Sequence, residues 1–136
     1  MADNKERIRY MFDEMVNKQR LELIDELFDP AFEGTTPQGV LNLDAFRDFL
    51  AGWFSAFSDI QCEIVDLIGE DDIVSWGIQA RGTNDGEFMG MPPTGRKVDF
   101  LSLNTAHFKD GKAIRQVVLM DFATMMQQLG LEGAPA

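Results

Sequence analysis

The chain has 136 residues, 45% of them hydrophobic and 26% charged, which predicts one folded domain over 1–136 rather than a disordered segment or two domains. Twelve Lys and Arg against 23 Asp and Glu leave a net charge of −11, a field that repels phosphate backbones and anionic membrane surfaces, so neither nucleic acid nor membrane is an expected partner. One Cys (Cys62) and one His (His107) make no internal disulfide and no zinc site, and the charged opening "MADNKERIRY" lacks an apolar leader core, so the expected location is cytoplasmic.

Eleven Phe, eight Met and two Trp stand against a single Tyr. Such a surplus of soft apolar side chains fits a cavity wall as well as it fits a Phe-rich core. In chain order, Ile8, Met11, Phe12 and Met15 fall on one face of a first helix. Leu21, Ile24, Leu27 and Phe28 repeat that spacing in a short second helix, stopped by Asp29-Pro30. "EGTTPQG" (Glu33–Gly39) has the composition of a loop. A third helix follows, with Asn42 as its N-cap and Phe46, Phe49, Leu50, Trp53 and Phe57 along one side.

After Ser58-Asp59 the period becomes alternating. Ile60, Cys62 and Ile64 point one way; "GEDD" (Gly69–Asp72) is a solvated turn; Val74, Trp76, Ile78 and Ala80 define the next strand. The glycine-rich "RGTNDGEFMGMPPTGRK" (Arg81–Lys97) leads to a strand over Val98–Phe108, and "KDGK" (Lys109–Lys112) turns it into another over Ala113–Met120. "FATMMQQLG" (Phe122–Gly130) reads as a final helix with Gly130 past its end. Helices first and a strand meander after them predict an α+β fold with an antiparallel sheet.

A three-residue turn at "KDG" would set Ser102 opposite Val118 and Asn104 opposite Gln116, with Phe100 and Met120 on the same face; a two-residue turn would shift that pairing by one. The other face carries Leu101, Leu103, Thr105 and His107 opposite Leu119, Val117, Arg115 and Ala113. Both faces are largely apolar, whereas a sheet with one wet face shows polar residues on it. One face is therefore expected to meet the helices and a pocket. The other is expected to meet a second copy of the chain in a homodimer, or else a covering helix of the same chain.

"FLAGWFSAFSD" (Phe49–Asp59), "GMPPTG" (Gly90–Gly95), "FKDGKAIRQ" (Phe108–Gln116) and "QQLG" (Gln127–Gly130), in that order over nearly the whole chain, resemble the SnoaL-like polyketide cyclase family. The resemblance implies a cone: a curved antiparallel sheet wrapped around a cavity and plugged by N-terminal helices, a shape shared with nuclear transport factor 2, ketosteroid isomerase and scytalone dehydratase. It also implies an apolar, polycyclic small-molecule ligand and, in members that are enzymes, cofactor-free ring closure through an acid/base carboxylate on the last strand. Aligned on "DGK", that carboxylate falls at Val118, a histidine falls at Gln116, a tryptophan at Val117, a second histidine at Asn104, and the loop histidine at Asn84. Val cannot move a proton, and Asn and Gln do not titrate.

Two functions follow: a cofactor-independent cyclase, isomerase or dehydratase, or a non-catalytic binding or carrier protein. Asn104, Gln116 and Ser102 can donate hydrogen bonds to a ligand carbonyl, or can satisfy one another across the hairpin. Asp121 is an acid near the expected place, but immediately before a helix an Asp serves as an N-cap. His107 lies beside the turn and faces away from the pocket. The apolar pocket candidates are Trp53, Phe57, Trp76, Phe88, Met89 and Met91 with Phe100, Val118 and Met120, and each serves a core equally well. Tyr10 beside the first apolar stripe either turns its hydroxyl inward or lies at the surface.

Overall fold

The computed structural model describes residues 3–131. Four α-helices and six strands appear in the order α1 (Asn4–Tyr10), a π turn (Met11–Val16), a 3-10 turn (Leu21–Leu23), α2 (Ile24–Leu27), β1 (Phe28–Thr36), β2 (Gly39–Asn42), α3 (Leu43–Ala56), β3 (Gln61–Glu70), β4 (Ile73–Thr83), β5 (Lys97–Lys109), β6 (Lys112–Met120) and α4 (Phe122–Gln128). The strands form one curved sheet, ordered β2-β1-β6-β5-β4-β3 and open at both edges, so the α+β architecture holds without closure into a barrel. Among the described residues no helix is long and apolar enough to cross a membrane.

Two expectations need correction. The sheet is mixed, because β1 runs parallel to β6. The stretch expected to be loop, Glu33–Gly39, is instead most of the β1–β2 hairpin. The second helix ends at Leu27, before Asp29-Pro30, and Phe28 already belongs to β1, in which Pro30 lies in the interruption between the Phe28↔Ala113 and Glu33↔Arg115 pairings, where no ladder donor is needed. Along β1, Phe32, Gly34 and Thr36 face the core. Gly34 carries no apolar signal, yet a Cβ there would lie 2.9 Å from the Phe46 ring, so the missing side chain is what admits Phe46. Thr36 closes the turn by donating from Oγ1 to the Gly39 carbonyl and accepting from the Gln38 amide.

The helices lie on the inner face of the sheet. Asp3, Asn42 and Asp121 cap α1, α3 and α4 by accepting from Glu6, Ala45 and Thr124 amides. After Tyr10 the helix widens: the Asn17 amide donates to the Phe12 carbonyl five residues back, and Arg20 does the same to Met15. The π turn holds Met11, Phe12, Met15 and Val16 all buried. Just beyond it, the Asn17 side chain donates to the Cys62 carbonyl and accepts from the Cys62 amide, pairing with the open edge of β3 as a short strand would. Gln128 does the same for β5 where β6 has ended, accepting from the Asp99 amide and donating to the Asp99 carbonyl. The "QQLG" motif thus closes the ladder.

The decisive detail is at the β5–β6 turn. Asp110 and Gly111, both with positive φ (51° and 80°), make a two-residue turn that pairs Lys109 with Lys112 and Phe108 with Ala113. Ile114 is then an extra, unpaired residue, and pairing resumes at His107↔Arg115. The turn therefore differs from the three-residue expectation, and Ala113 is buried rather than outward. The bulge nonetheless restores the even-numbered inner face: Asn104 lies opposite Val118 and Ser102 opposite Met120. Without it Gln116 would sit opposite Thr105 and face out, and Arg115 would face in. Burying that guanidinium unpaired is the error the bulge avoids.

Candidate functional site

Between the inner sheet face and the helices lies a cavity of about 90 Å³. The sheet contributes Ile78 and Ala80 from β4, Phe100, Ser102 and Asn104 from β5, and Gln116, Val118 and Met120 from β6. The π turn gives Met11, Phe12, Met15 and Val16. Across from the sheet, α3 lays down Phe46, Phe49, Leu50, Trp53 and Phe54, with Phe28, Ile60 and Cys62 filling the corners. The period of α3 places these rings in a column, Phe46 stacked on Phe49 and Phe49 edge-on to Trp53.

Seven of the sequence candidates meet at this cavity: Trp53, Phe100, Ser102, Asn104, Gln116, Val118 and Met120. Five do not. Phe57 and Phe88 stand one layer behind, 5.6 and 5.2 Å from the Trp53 ring centre, and hold that indole in place. Trp76 is buried edge-on behind Phe12. Met89 is 56% exposed and Met91 half-buried, at a small hairpin where Phe88 pairs with Met91. Tyr10 is at the surface, and His107 is on the outer face beside Arg115. Asp121 also lies outside, accepting from the Thr124 amide and hydroxyl, bonds that lower its carboxyl pKa. The π-turn residues, with Phe28, Phe46, Phe49, Leu50 and Phe54, also line the cavity; the sequence marks them only as helix-face apolar residues, or not at all, and the apolar stripes are the available signal.

One edge of the cavity is polar. Asn104 donates from Nδ2 to Ser102 Oγ at 3.2 Å, and Gln116 donates from Nε2 to Asn104 Oδ1 at 3.5 Å, the outer limit of hydrogen bonding. All three residues are buried. Gln116 Oε1 has no hydrogen-bond partner, and neither does Trp76 Nε1 on β4, two strands away. Among the described residues the only ionisable one lining the cavity is Cys62, whose thiol is pushed up to about 12 by burial. Val118 is 4% exposed. No group of three or more His, Cys, Asp or Glu able to hold a metal occurs among the described residues.

Asn84, where the resemblance placed a loop histidine, is a structural tie. Its Nδ2 donates to the Ala56 and Gly86 carbonyls, and its Oδ1 accepts from the Thr94 amide and hydroxyl. It fastens the loop before β5 to the end of α3, where a Cβ on Gly86 would lie 2.0 Å from the Ser55 carbonyl oxygen.

The sequence model of the SnoaL-like polyketide cyclases matches residues 6–129. The chain belongs to that family. Among solved structures it is similar to IdmH of Streptomyces antibioticus, described as a candidate polyketide cyclase, at 26% identity and TM-score 0.84 over 95% of this chain and 99% of that one. It is similar to AclR of Streptomyces galilaeus, described as a candidate hydroxylase, at 26% identity and TM-score 0.86 over 96% of this chain and 82% of that one. A SnoaL-like cyclase candidate from Jannaschia sp. CCS1, at 24% identity and TM-score 0.86 over 98% of this chain and 93% of that one, shares the fold. No protein of curated function matches the sequence. Relatives described by different reactions carry one fold, so family membership alone does not name a reaction.

Proposed function

We propose that this SnoaL-like protein holds a neutral, largely apolar, ring-shaped small molecule in the cavity and orients it by hydrogen bonds with Ser102, Asn104 and Gln116. The observation that carries the reading is the lining itself: apolar walls, three neutral polar side chains on one edge, and Val118 where the family resemblance places a proton-transferring carboxylate. A charged ligand would be desolvated there with no partner. The cavity, about 90 Å³, is below the size of typical ligand pockets, so a polycyclic ligand enters only if the walls yield. Met11, Met15 and Met120, unbranched and adaptable, are the side chains best able to do so. Titration with neutral Nile red, followed by native mass spectrometry of protein purified from its host, tests this reading. Expected are saturable fluorescence and a co-purifying neutral mass; neither appearing refutes it.

A second reading, a cofactor-free cyclase, isomerase or dehydratase step, draws on family membership. Here it would run through Asn104 and Gln116 polarising a carbonyl, because Asp121 is engaged outside the cavity as a helix cap. Unchanged anthraquinone esters, beside an active relative as control, would remove it. We further propose that the outer sheet face meets a second copy of the chain. Leu103 and Leu119 pair on it at 55% and 61% exposure, Val65 and Leu101 close around Gly77, and charged Glu63, Arg81 and Asp99 lie at one end. A contiguous apolar strip with a polar rim suits a self-complementary contact.

A further inference from the structure

The geometry points to Gln116 as the residue that selects the ligand's chemical class: a neutral ring compound with a hydroxyl donor at one end and a carbonyl acceptor at the other. This deepens the pocket reading and rests on it. The polar edge is a directed chain in which Gln116 donates to Asn104 and Asn104 donates to Ser102. Each link uses one donor and one acceptor, and at the two ends of the chain stand a carboxamide acceptor and a hydroxyl donor, beside the second N–H that each carboxamide keeps. At one end Gln116 Oε1, on a side chain 96% buried by its 4% exposure, is an acceptor without a donor. At the other, the Ser102 hydroxyl already accepts from Asn104, and no acceptor among the described residues takes its own proton.

A ligand hydroxyl reaching Gln116 and a ligand carbonyl reaching Ser102 would complete the chain at both ends. The rest of the lining is apolar, so this edge alone can meet the ligand's polar groups, and Gln116 Oε1 is the acceptor on it that has no donor. The bulge at Ile114 is what brings Gln116 to this edge, since pairing without the extra residue would turn it outward. A buried acceptor left unmet weakens binding of any ligand that lacks the donor, typically by about 10- to 100-fold.

The test uses four para-substituted benzenes of nearly one shape. They are 4-hydroxyacetophenone (donor and acceptor), 4-methylacetophenone (acceptor only), 4-ethylphenol (donor only) and 4-ethyltoluene (neither), measured by calorimetry or ligand-observed NMR on the full chain. Replacing methyl by hydroxyl is expected to tighten binding at least about 10-fold. Gln116→Met is expected to reduce that gain below about 3-fold while keeping the gain from the carbonyl; Ser102→Ala should do the reverse. If 4-ethyltoluene binds and the hydroxyl adds nothing, or methylacetophenone binds tighter than hydroxyacetophenone, the assignment is overturned and the apolar pocket stands. If none of the four binds the wild-type chain, the pocket reading itself fails. The wild-type series decides the matter even if a variant does not fold.

Discussion

Replacing Val118 by Asp restores a carboxylate at the family's acid/base position and measures how dry the cavity is. Val118 is 4% exposed, lies opposite Asn104, and shares the cavity with no cation. Exchanging the isopropyl group for a protonated carboxyl of similar size costs about 1–2 kcal/mol in lost apolar burial. Ionising it there costs more. Desolvation raises a buried carboxyl by up to 3–5 units, and Asn104 as a nearby donor offsets part of that, leaving a shift of roughly 2–3 units, about 3–4 kcal/mol. The sign follows from proton binding. With the folded-state pKa raised, the folded chain keeps a proton that the unfolded chain has released, so relative stability is highest below the unfolded pKa of about 4 and falls as pH rises through the folded pKa, near 6–7. Val118→Asp should therefore lose about 1–2 kcal/mol more, relative to wild type, at pH 8.5 than at pH 5.5. Paired urea unfolding curves at the two values, both above the isoelectric region of this acidic chain, report the difference. An equal loss at both would mean that water or a cation reaches position 118, and the argument for a neutral ligand would collapse with it.

Asn84→Ala removes four hydrogen bonds that fasten the loop to α3 and should cost about 2–4 kcal/mol, read as a lower melting temperature together with faster amide exchange over residues 85–95. An unchanged melting temperature would dismiss the tie. The Cys62 thiol, pushed up to about 12 by burial from a reference of 9.0, should react with a disulfide reagent at pH 8 only as fast as the fold opens, and more slowly when the cavity is occupied. Since the unfolded thiol ionises first, this group leaves stability unaffected below pH 9 and reduces it as pH rises towards 12; prompt labelling of the native chain would contradict its burial. Leu103→Glu places like charges in the proposed contact between copies and should convert a dimer to a monomer by light scattering with little loss of monomer stability; a wild-type monomer at micromolar concentration refutes that contact.

What the sequence made legible is what period encodes. The apolar stripe and the Asn42 cap located α3, and alternation located β3 to β6 with the inward parity of Ile78, Ala80, Phe100, Ser102 and Asn104. The β1–β2 hairpin was invisible because its inward positions include Gly34 and Thr36, which carry no apolar signal; Gly34 is small because Phe46 of α3 fills the space beside it, and no local period announces that. Depth was equally silent. Phe57, Phe88 and Trp76 face inward as expected, but a stripe gives direction and not distance, and they stop one ring short of the cavity. The π-turn residues Met11, Phe12, Met15 and Val16 do reach the cavity wall.

Which residues meet a ligand in this fold is then decided by parity in two strands, and parity here hangs on one unpaired residue. With both faces of β6 apolar, hydrophobicity barely distinguishes the inward set Gln116, Val118, Met120 from the set Arg115, Val117, Leu119. The charge on Arg115 does distinguish them, and the bulge at Ile114 is the local means by which a two-residue turn delivers the cheaper choice. The outcome is an inner wall with no titratable group on β5 or β6. In this chain the inward positions of β5 and β6 hold hydrogen-bond donors and acceptors that stay neutral at every physiological pH, so under the proposed function discrimination between ligands would come from the complement of polar atoms along that edge, and a proton that moved would be moved by the ligand or by water.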